Sequence, residues 1–318
     1  MTYRAGMGAR RDRAIAAEWL SPLLGDVAEA RVFVAPGAQA AIGAVLPMLA
    51  RSGDVILAEP WTYPGFIAMA RLHGVRLAPL MCDEEGPALR ALNAQLKQTG
   101  AKAIYLNPTL QNPTTRTISA ARRQGIVEIA RKRSVLIVED DAYGLLGPPA
   151  PAMARLDASS VIYLSTLSKC LSPGLRTAFV VAPPALEARM GDALRAACQM
   201  PTPLLSDLAL RWIESGLARR VLAGVKAESA ARMRMARKIL PARAHGGAHG
   251  FHLWMPLPEG WDVGAYAAAA GAQGVVTVSS NVFAVGPEAR PHVRISLGAA
   301  PNRAILERGL RALASLEQ

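Results

Sequence analysis

Val161-Ile162-Tyr163-Leu164-Ser165-Thr166-Leu167-Ser168-Lys169, continuing through Cys170-Leu171-Ser172-Pro173-Gly174-Leu175-Arg176, is the stretch on which the fold turns. Its β-branched and aromatic start predicts a buried strand over 161–164. The run then stops in hydroxyls and a lysine. Lysine is scarce among the basic residues of this chain. One placed where a core strand exits into a cleft can lose its proton by desolvation and become a nucleophile toward aldehydes.

Strand and helix patterns alternate outward from this stretch. Apolar strand candidates fall at 31–34, 55–58, 75–80, 103–106, 135–138, 161–164 and 178–181. Helical stretches fall between them at 11–20, 40–51, 63–73, 87–98 and 120–133. Such alternation predicts an α/β protein with a mostly parallel sheet covered by helices on both faces. Ligands of such sheets bind beyond the carboxyl ends of the strands. From about residue 185 the pattern changes to a long helical region over 190–240, interrupted at Pro201-Thr202-Pro203. Short strands near 251–255, 275–278 and 293–297 and a helix near 302–316 then predict a smaller α+β unit. The expected division is an N-terminal arm and helix over 1–25, a large domain over 26–212 and a small C-terminal domain over 213–318.

With 318 residues, 51% of them hydrophobic, the chain is globular. The net charge of +12 is spread along helices, as at Arg219-Arg220 and 232–238. No basic block interleaved with aromatics stands out, so specific nucleic-acid binding is not expected. Residues 32–50 carry no charge, but Pro36, Gly37, Gly43 and Pro47 interrupt them, which predicts strand, turn and helix, not a membrane span. The first residues lack the apolar core of a signal peptide, and Cys82, Cys170 and Cys198 show no paired spacing; both fit a cytoplasmic protein with reduced thiols. His245 and His249 have helical metal-ligand spacing, but Gly246-Gly247 between them predicts a loop, and no metal is expected.

Thr166, Ser168 and Arg176 supply donors and charge for a phosphate beside Lys169. Together they suit a phosphorylated aldehyde cofactor, pyridoxal 5'-phosphate. A solvated lysine in an ordinary loop is the competing reading. Pyridoxal chemistry needs a buried carboxylate to keep the pyridine nitrogen protonated. Glu139-Asp140-Asp141-Ala142-Tyr143 ends a strand candidate, with Asp140 chosen for the nitrogen and Tyr143 for the ring's phenolic oxygen; an acidic turn cap is the alternative. Asn112, in Gln111-Asn112-Pro113-Thr114-Thr115, could offer its amide to the same oxygen, or sit in a plain turn. Pro36-Gly37-Ala38-Gln39 joins a strand to a helix, where backbone amides and the helix dipole could meet a phosphate. Tyr63 could stack on a planar ring or be an ordinary loop aromatic. Arg294, inside an apolar strand candidate, wants an anion: a substrate carboxylate, or a structural ion-pair partner.

In their order along the chain these motifs resemble the fold-type I pyridoxal-phosphate enzymes, class I/II aminotransferases. The resemblance is to the branch with aminoadipate and kynurenine aminotransferases and the aminotransferase-like domains of MocR-type regulators. It rests on Tyr163 to Arg176, Glu139 to Tyr143 and Gln111 to Thr115. It implies a transaminase that moves the amino group of an α-amino acid to a 2-oxo acid through a Lys169 Schiff base. It implies phosphate contacts from Thr166, Ser168, Arg176, Ala38 and Gln39, ring stacking by Tyr63, and an α-carboxylate clamp at Arg294. It further implies a homodimer in which Tyr3 reaches the other subunit's phosphate.

The chain departs from this pattern in three places. Ala38 stands where the family often has serine, removing one side-chain phosphate contact. Thr115 replaces a glycine, which strains or reshapes its turn. The resemblance begins at Tyr3, already some way into the family's enzymes, and implies an N-terminally shortened chain without a winged-helix module. Two other functions stay open at this point: a non-catalytic domain that senses amino acid and cofactor, derived from a MocR-type regulator, and a lyase or decarboxylase reaction on the same scaffold.

Overall fold

The structure, a computed structural model, describes residues 8–287 and 290–316. Twelve strands run in chain order: β1 (Val32–Ala35), β2 (Val55–Ala58), β3 (Arg76–Pro79), β4 (Cys82–Asp83), β5 (Gly86–Pro87), β6 (Ala103–Leu106), β7 (Leu136–Asp140), β8 (Val161–Thr166), β9 (Ala178–Val181), β10 (His252–Pro256), β11 (Val278–Ser279) and β12 (His292–Ser296). Seven of them form one sheet in the order β1-β9-β8-β7-β6-β2-β3. The pairings from β8 to β3 are parallel, whereas β9 is antiparallel to both β8 and β1. β1 therefore points the same way as β8, and its carboxyl end emerges at the same edge.

Every residue of β1, β6, β8 and β9 is buried. Strands covered on both faces read as continuous apolar runs, which is why they were visible without alternation. Two helix layers supply the cover. Helices Arg10–Leu24, Leu89–Thr99, Ala120–Lys132 and Pro203–Glu214 pack Ile15, Trp19, Leu92, Ile126 and Leu210 on one face. Helices Ala38–Leu49, Pro64–Leu72 and Glu187–Cys198 pack Ile42, Val45, Phe66 and Leu194 on the other. A third cluster, with Met233, Leu253, Tyr266, Ile295 and Leu310, lies under the three-stranded sheet β10-β12-β11.

The two sheets are tied through the segment after β2. Thr62 N donates to the Phe283 carbonyl and Val285 N to the Pro60 carbonyl, each at 2.9 Å. Trp254 stacks on His292 with centroids 4.9 Å apart at 8°, and Trp61 meets both edge-on. These contacts set β12 beside the carboxyl edge of the large sheet.

Several expected boundaries move. The 190–240 helical region is three helices, Glu187–Cys198, Pro203–Glu214 and Leu217–Ile239, because Pro203 opens one and Gly216 turns left-handed before the next. The strand expected at 275–278 shrinks to β11. Helix Val263–Ala272 and the β4–β5 hairpin add to the expected elements. The helix is apolar nearly all round, so it lacks the stripe that marks amphipathic helices.

Candidate active site

The carboxyl edge of the large sheet carries a cleft with about 180 Å³ of free space. Five connections meet in it: those after β1, β2, β6, β7 and β8. The first delivers Ala38 and Gln39 at the start of helix Ala38–Leu49, two residues earlier than the sequence predicted. Gly37 before them has φ 99°, a backbone state that glycine adopts without strain. A Cβ on Gly37 would lie 2.5 Å from Arg176 Nη2, so this glycine lets the guanidinium close on the helix start. Gln39 Nε2 donates to the Gly65 carbonyl at 3.0 Å, and the Tyr63 ring folds over Gly65, where a Cβ would sit 2.4 Å from Cε1.

β8 runs two residues past its expected end, so Thr166 is its last residue and Lys169 sits on a single helical turn, Leu167–Cys170. Thr166 Oγ1 caps that turn by accepting from Ser168 N at 3.2 Å. Ser172 Oγ caps the next, Pro173–Leu175, and Arg176 follows with φ 44°. The three phosphate-type groups Thr166, Ser168 and Arg176 are thereby presented to one cleft by local turns. Lys169 Nζ lies 5.9 Å from the Tyr143 ring centroid. The amine is reachable by solvent through the open cleft. Protein crowding and then Arg294 lower its pKa from the usual lysine value, with Asp140 opposing. A larger neutral fraction makes it a better nucleophile and base.

β7 extends through Asp140, and strand alternation sorts the three acids. Glu139 accepts from Met153 N at 2.8 Å and Ala154 N at 2.9 Å and lies 3.5 Å from the fully buried Arg123. Asp141 accepts from Tyr163 Oη at 3.1 Å on the same side. Asp140 faces the cleft. Tyr105 Oη donates to its Oδ2 at 2.5 Å, while its Oδ1 is buried with no hydrogen-bond partner. Burial pushes the Asp140 carboxyl up to about 6, against the hydrogen bond from Tyr105. Burial likewise pushes the Tyr143 phenol up to about 12. A buried carboxylate oxygen without a donor calls for one from a ligand. A protonated pyridine nitrogen fits that need, and the hydroxyls and guanidinium across the cleft fit a phosphate.

Asn112 lies in a loop whose Thr115 has φ 63°, the reshaped turn expected where the family has glycine. Asn112 Oδ1 accepts from Arg294 Nη1 at 2.8 Å, which turns its amide nitrogen away from Arg294. Arg294 opens onto an adjoining cavity of about 420 Å³ that shares Tyr143, Ser168 and Lys169 with the first. No described carboxylate pairs with Arg294, its Nε is buried without a partner, and its face covers Phe283 at 5.0 Å. Burial lowers its pKa, with Tyr143 opposing. The structural ion pair is thus absent among the described residues, and apart from the Nη1 bond to Asn112 the guanidinium keeps donors for an anion.

Every expected cofactor and substrate residue except Tyr3 falls in these two adjoining cavities; Tyr3 lies outside the described residues. Sequence reasoning missed Tyr105, Asn107, Gly65 and His252. His252 is 3% exposed between the two sheets, and burial followed by Arg294 drives its pKa to about 3, so it stays neutral. The Asn-Pro at 107–108 carried the same turn signal as Asn112-Pro113 and could have pointed to Asn107.

A family model described as aminotransferase class I and II matches residues 11–313. The 2-aminoadipate transaminase of Thermus thermophilus is 32% identical over 264 residues, covering 78% of this chain and 64% of that protein. A Bacillus subtilis protein named as an uncharacterized HTH-type transcriptional regulator, YdeF, is 30% identical over 290 residues, covering 90% of this chain and 62% of that protein. The chain therefore spans less than two thirds of the length of these relatives. The crystal structure of LysN, the α-aminoadipate aminotransferase of Thermus thermophilus complexed with N-(5'-phosphopyridoxyl)-L-leucine, superposes with a TM-score of 0.89. It is 28% identical, and the match covers 99% of this chain and 82% of that one. A mostly parallel sheet with its ligand-facing groups at one edge, and a family match along nearly its whole length, make this chain a member of the aminotransferase class I and II family, with the fold type I architecture of pyridoxal-phosphate-dependent transferases.

Proposed function

We propose that this protein is a pyridoxal-phosphate-dependent aminotransferase that moves the amino group of an α-amino acid to a 2-oxo acid. The observation that carries the reading is the meeting of three groups at adjoining cavities. Lys169 reaches into both, and among the described residues Asp140 has a buried oxygen without a donor and Arg294 has no carboxylate partner. When bound, pyridoxal phosphate supplies an electron sink for the substrate's α-carbon. Thr166, Ser168, Arg176 and the amides of Ala38 and Gln39 bind the phosphate. Tyr63 stacks on the ring, and Asn112 and Tyr143 bind its phenolic oxygen. Asp140 holds a proton at the ring nitrogen. Arg294 binds the α-carboxylate in the adjoining cavity, where Lys169 Nζ can take and return the α-proton. The sheet and its helices over 26–212 would form the cofactor half and 213–318 the substrate half of a cytoplasmic homodimer, in which Tyr3 is the residue lent to the partner's phosphate. Among the described residues no helix is long and apolar enough to cross a membrane.

The test is the visible absorption of protein with pyridoxal phosphate, before and after a mixture of amino acids, beside Lys169→Ala. A band that needs Lys169 and bleaches with amino acid, leaving pyridoxamine phosphate, is the expected result. The similarity to YdeF favours a second reading, a domain that binds cofactor and amino acid without turnover. That reading predicts a band that forms and never yields pyridoxamine phosphate.

A further inference from the structure

Beside Asp140 stands a polar pair that the roles above do not use: Tyr105, and Asn107 at the cleft wall. Tyr105 is wholly buried at the end of β6 and stacks on Phe66 with centroids 3.6 Å apart and planes 3° apart. Asn107 follows it, 6% exposed. Asn107 Nδ2 lies 3.2 Å from Tyr105 Oη and 3.2 Å from the Asp140 backbone carbonyl. Its backbone N–H donates to Glu59 Oε2 at 3.0 Å, which fixes the residue from the far side.

These contacts have a forced direction. The Asp140 carbonyl can only accept, so the Asn107 amide must turn its nitrogen to that side. The same nitrogen then donates to Tyr105 Oη, whose single proton is left for Asp140 Oδ2 at 2.5 Å. One carboxylate oxygen is tied and the other, Oδ1, is left without a partner. The groups around Asp140 pull in different directions. Lys169 favours its ionised form and neighbouring Asp141 disfavours it. The phenols of Tyr63 and Tyr143 face the same carboxylate and stay neutral. Among the described residues no arginine or lysine is hydrogen-bonded to Asp140. A cation there would cancel the charge meant for a ligand, whereas a phenol steadies the carboxylate and adds none.

We propose that Tyr105 and Asn107 are positioning residues that keep Asp140 ionised, with Oδ1 presented to a cationic ring nitrogen in the cleft. The second half of this rests on the cofactor reading above. Without the phenolic donor Asp140 becomes the stronger base, and the proton shared with the ring nitrogen shifts onto Oδ1.

The experiment uses the full chain and three variants: Tyr105→Phe, Asn107→Leu and, as the reference, Asp140→Asn. Without cofactor, infrared difference titration follows the carboxyl band that Asp140→Asn lacks. Tyr105→Phe keeps the ring and its stack on Phe66, and should raise the proton affinity of Asp140 about tenfold. Asn107→Leu should move it in the same direction by less. With pyridoxal phosphate isotopically labelled at the ring nitrogen, the nitrogen resonance should report a protonated ring in wild type. In Tyr105→Phe, at the same pH, that resonance should move toward the unprotonated ring, as the shared proton passes to Asp140 Oδ1. An unmoved Asp140 midpoint in folded variants overturns the proposal; if Tyr105→Phe does not fold, Asn107→Leu decides alone. A shifted midpoint in a chain that never binds the labelled cofactor supports the positioning role and overturns the cofactor reading.

Discussion

The two sheets contribute to the candidate site in opposite ways. The seven-stranded sheet delivers its groups from turns beyond strand ends, each shaped by its own short sequence: Gly37 before a helix, Thr166 capping the Lys169 turn, Ser172 capping the turn before Arg176. The three-stranded sheet delivers one charged group, Arg294, from the middle of a strand, oriented by Asn112 in the loop that follows β6. One half of the site is built within a single layer and the other exists only where two layers meet. Cofactor binding and amino-acid binding should therefore be separable by mutation.

The largest effect expected is that of Lys169→Ala. It should remove the visible cofactor band and lower transamination by about four orders of magnitude or more, in single-turnover assays. Arg294→Ala should separate the halves. Cofactor absorption should stay as in wild type while kcat/KM for amino acids falls roughly a hundredfold. A lost cofactor band in Arg294→Ala would break the comparison, since the second sheet would then be needed for the first half. Gly37→Ala attacks the first half alone. It forces a non-glycine residue to a φ of 99° and pushes a methyl toward Arg176. Pyridoxal phosphate should bind about tenfold more weakly, by equilibrium titration, with KM for amino acid little changed.

The smallest effect at the site, and a sharper one for the scaffold, concerns Glu59. Burial pushes its carboxyl up to about 7 from a reference value of 4.5, against its bond to Asn107 N. The folded state binds this proton more tightly than the unfolded state does. Its contribution to stability is thus full below the unfolded value and is lost as pH rises through about 7. Glu139 and Asp140, raised to about 7 and about 6, act with the same sign. Glu59→Gln should partly flatten the fall in stability between these limits, by on the order of 1–3 kcal/mol of unfolding free energy from urea titrations at each pH.

The legibility of the molecule in its sequence follows the same division. β2, β6 and β9 run where the apolar runs placed them, because burial on both faces leaves a local signature. The three adjacent acids were visible as a group, and the two-residue alternation of a strand separates Asp140 from Glu139 and Asp141 once β7 is known to reach Asp140. Helix Val263–Ala272 left no such trace, being apolar on all sides. Tyr105 and Asn107 read as an ordinary strand end and turn. Their roles depend on a neighbouring strand that lies 35 residues on from Tyr105 at Asp140.

By itself, then, the sequence determined the sheet, the lysine turn and the identity of nearly every group in the cleft, because each is encoded over a few consecutive residues by burial pattern, caps and turn chemistry. The tertiary structure decided which of those groups remain unsatisfied. Among the described residues, Asp140 Oδ1 and Arg294 Nε lack partners only because of what β6, the Asn112 loop and the second sheet place around them. Hydrogen-bond satisfaction is a property of three-dimensional neighbours, and no spacing along the chain records it.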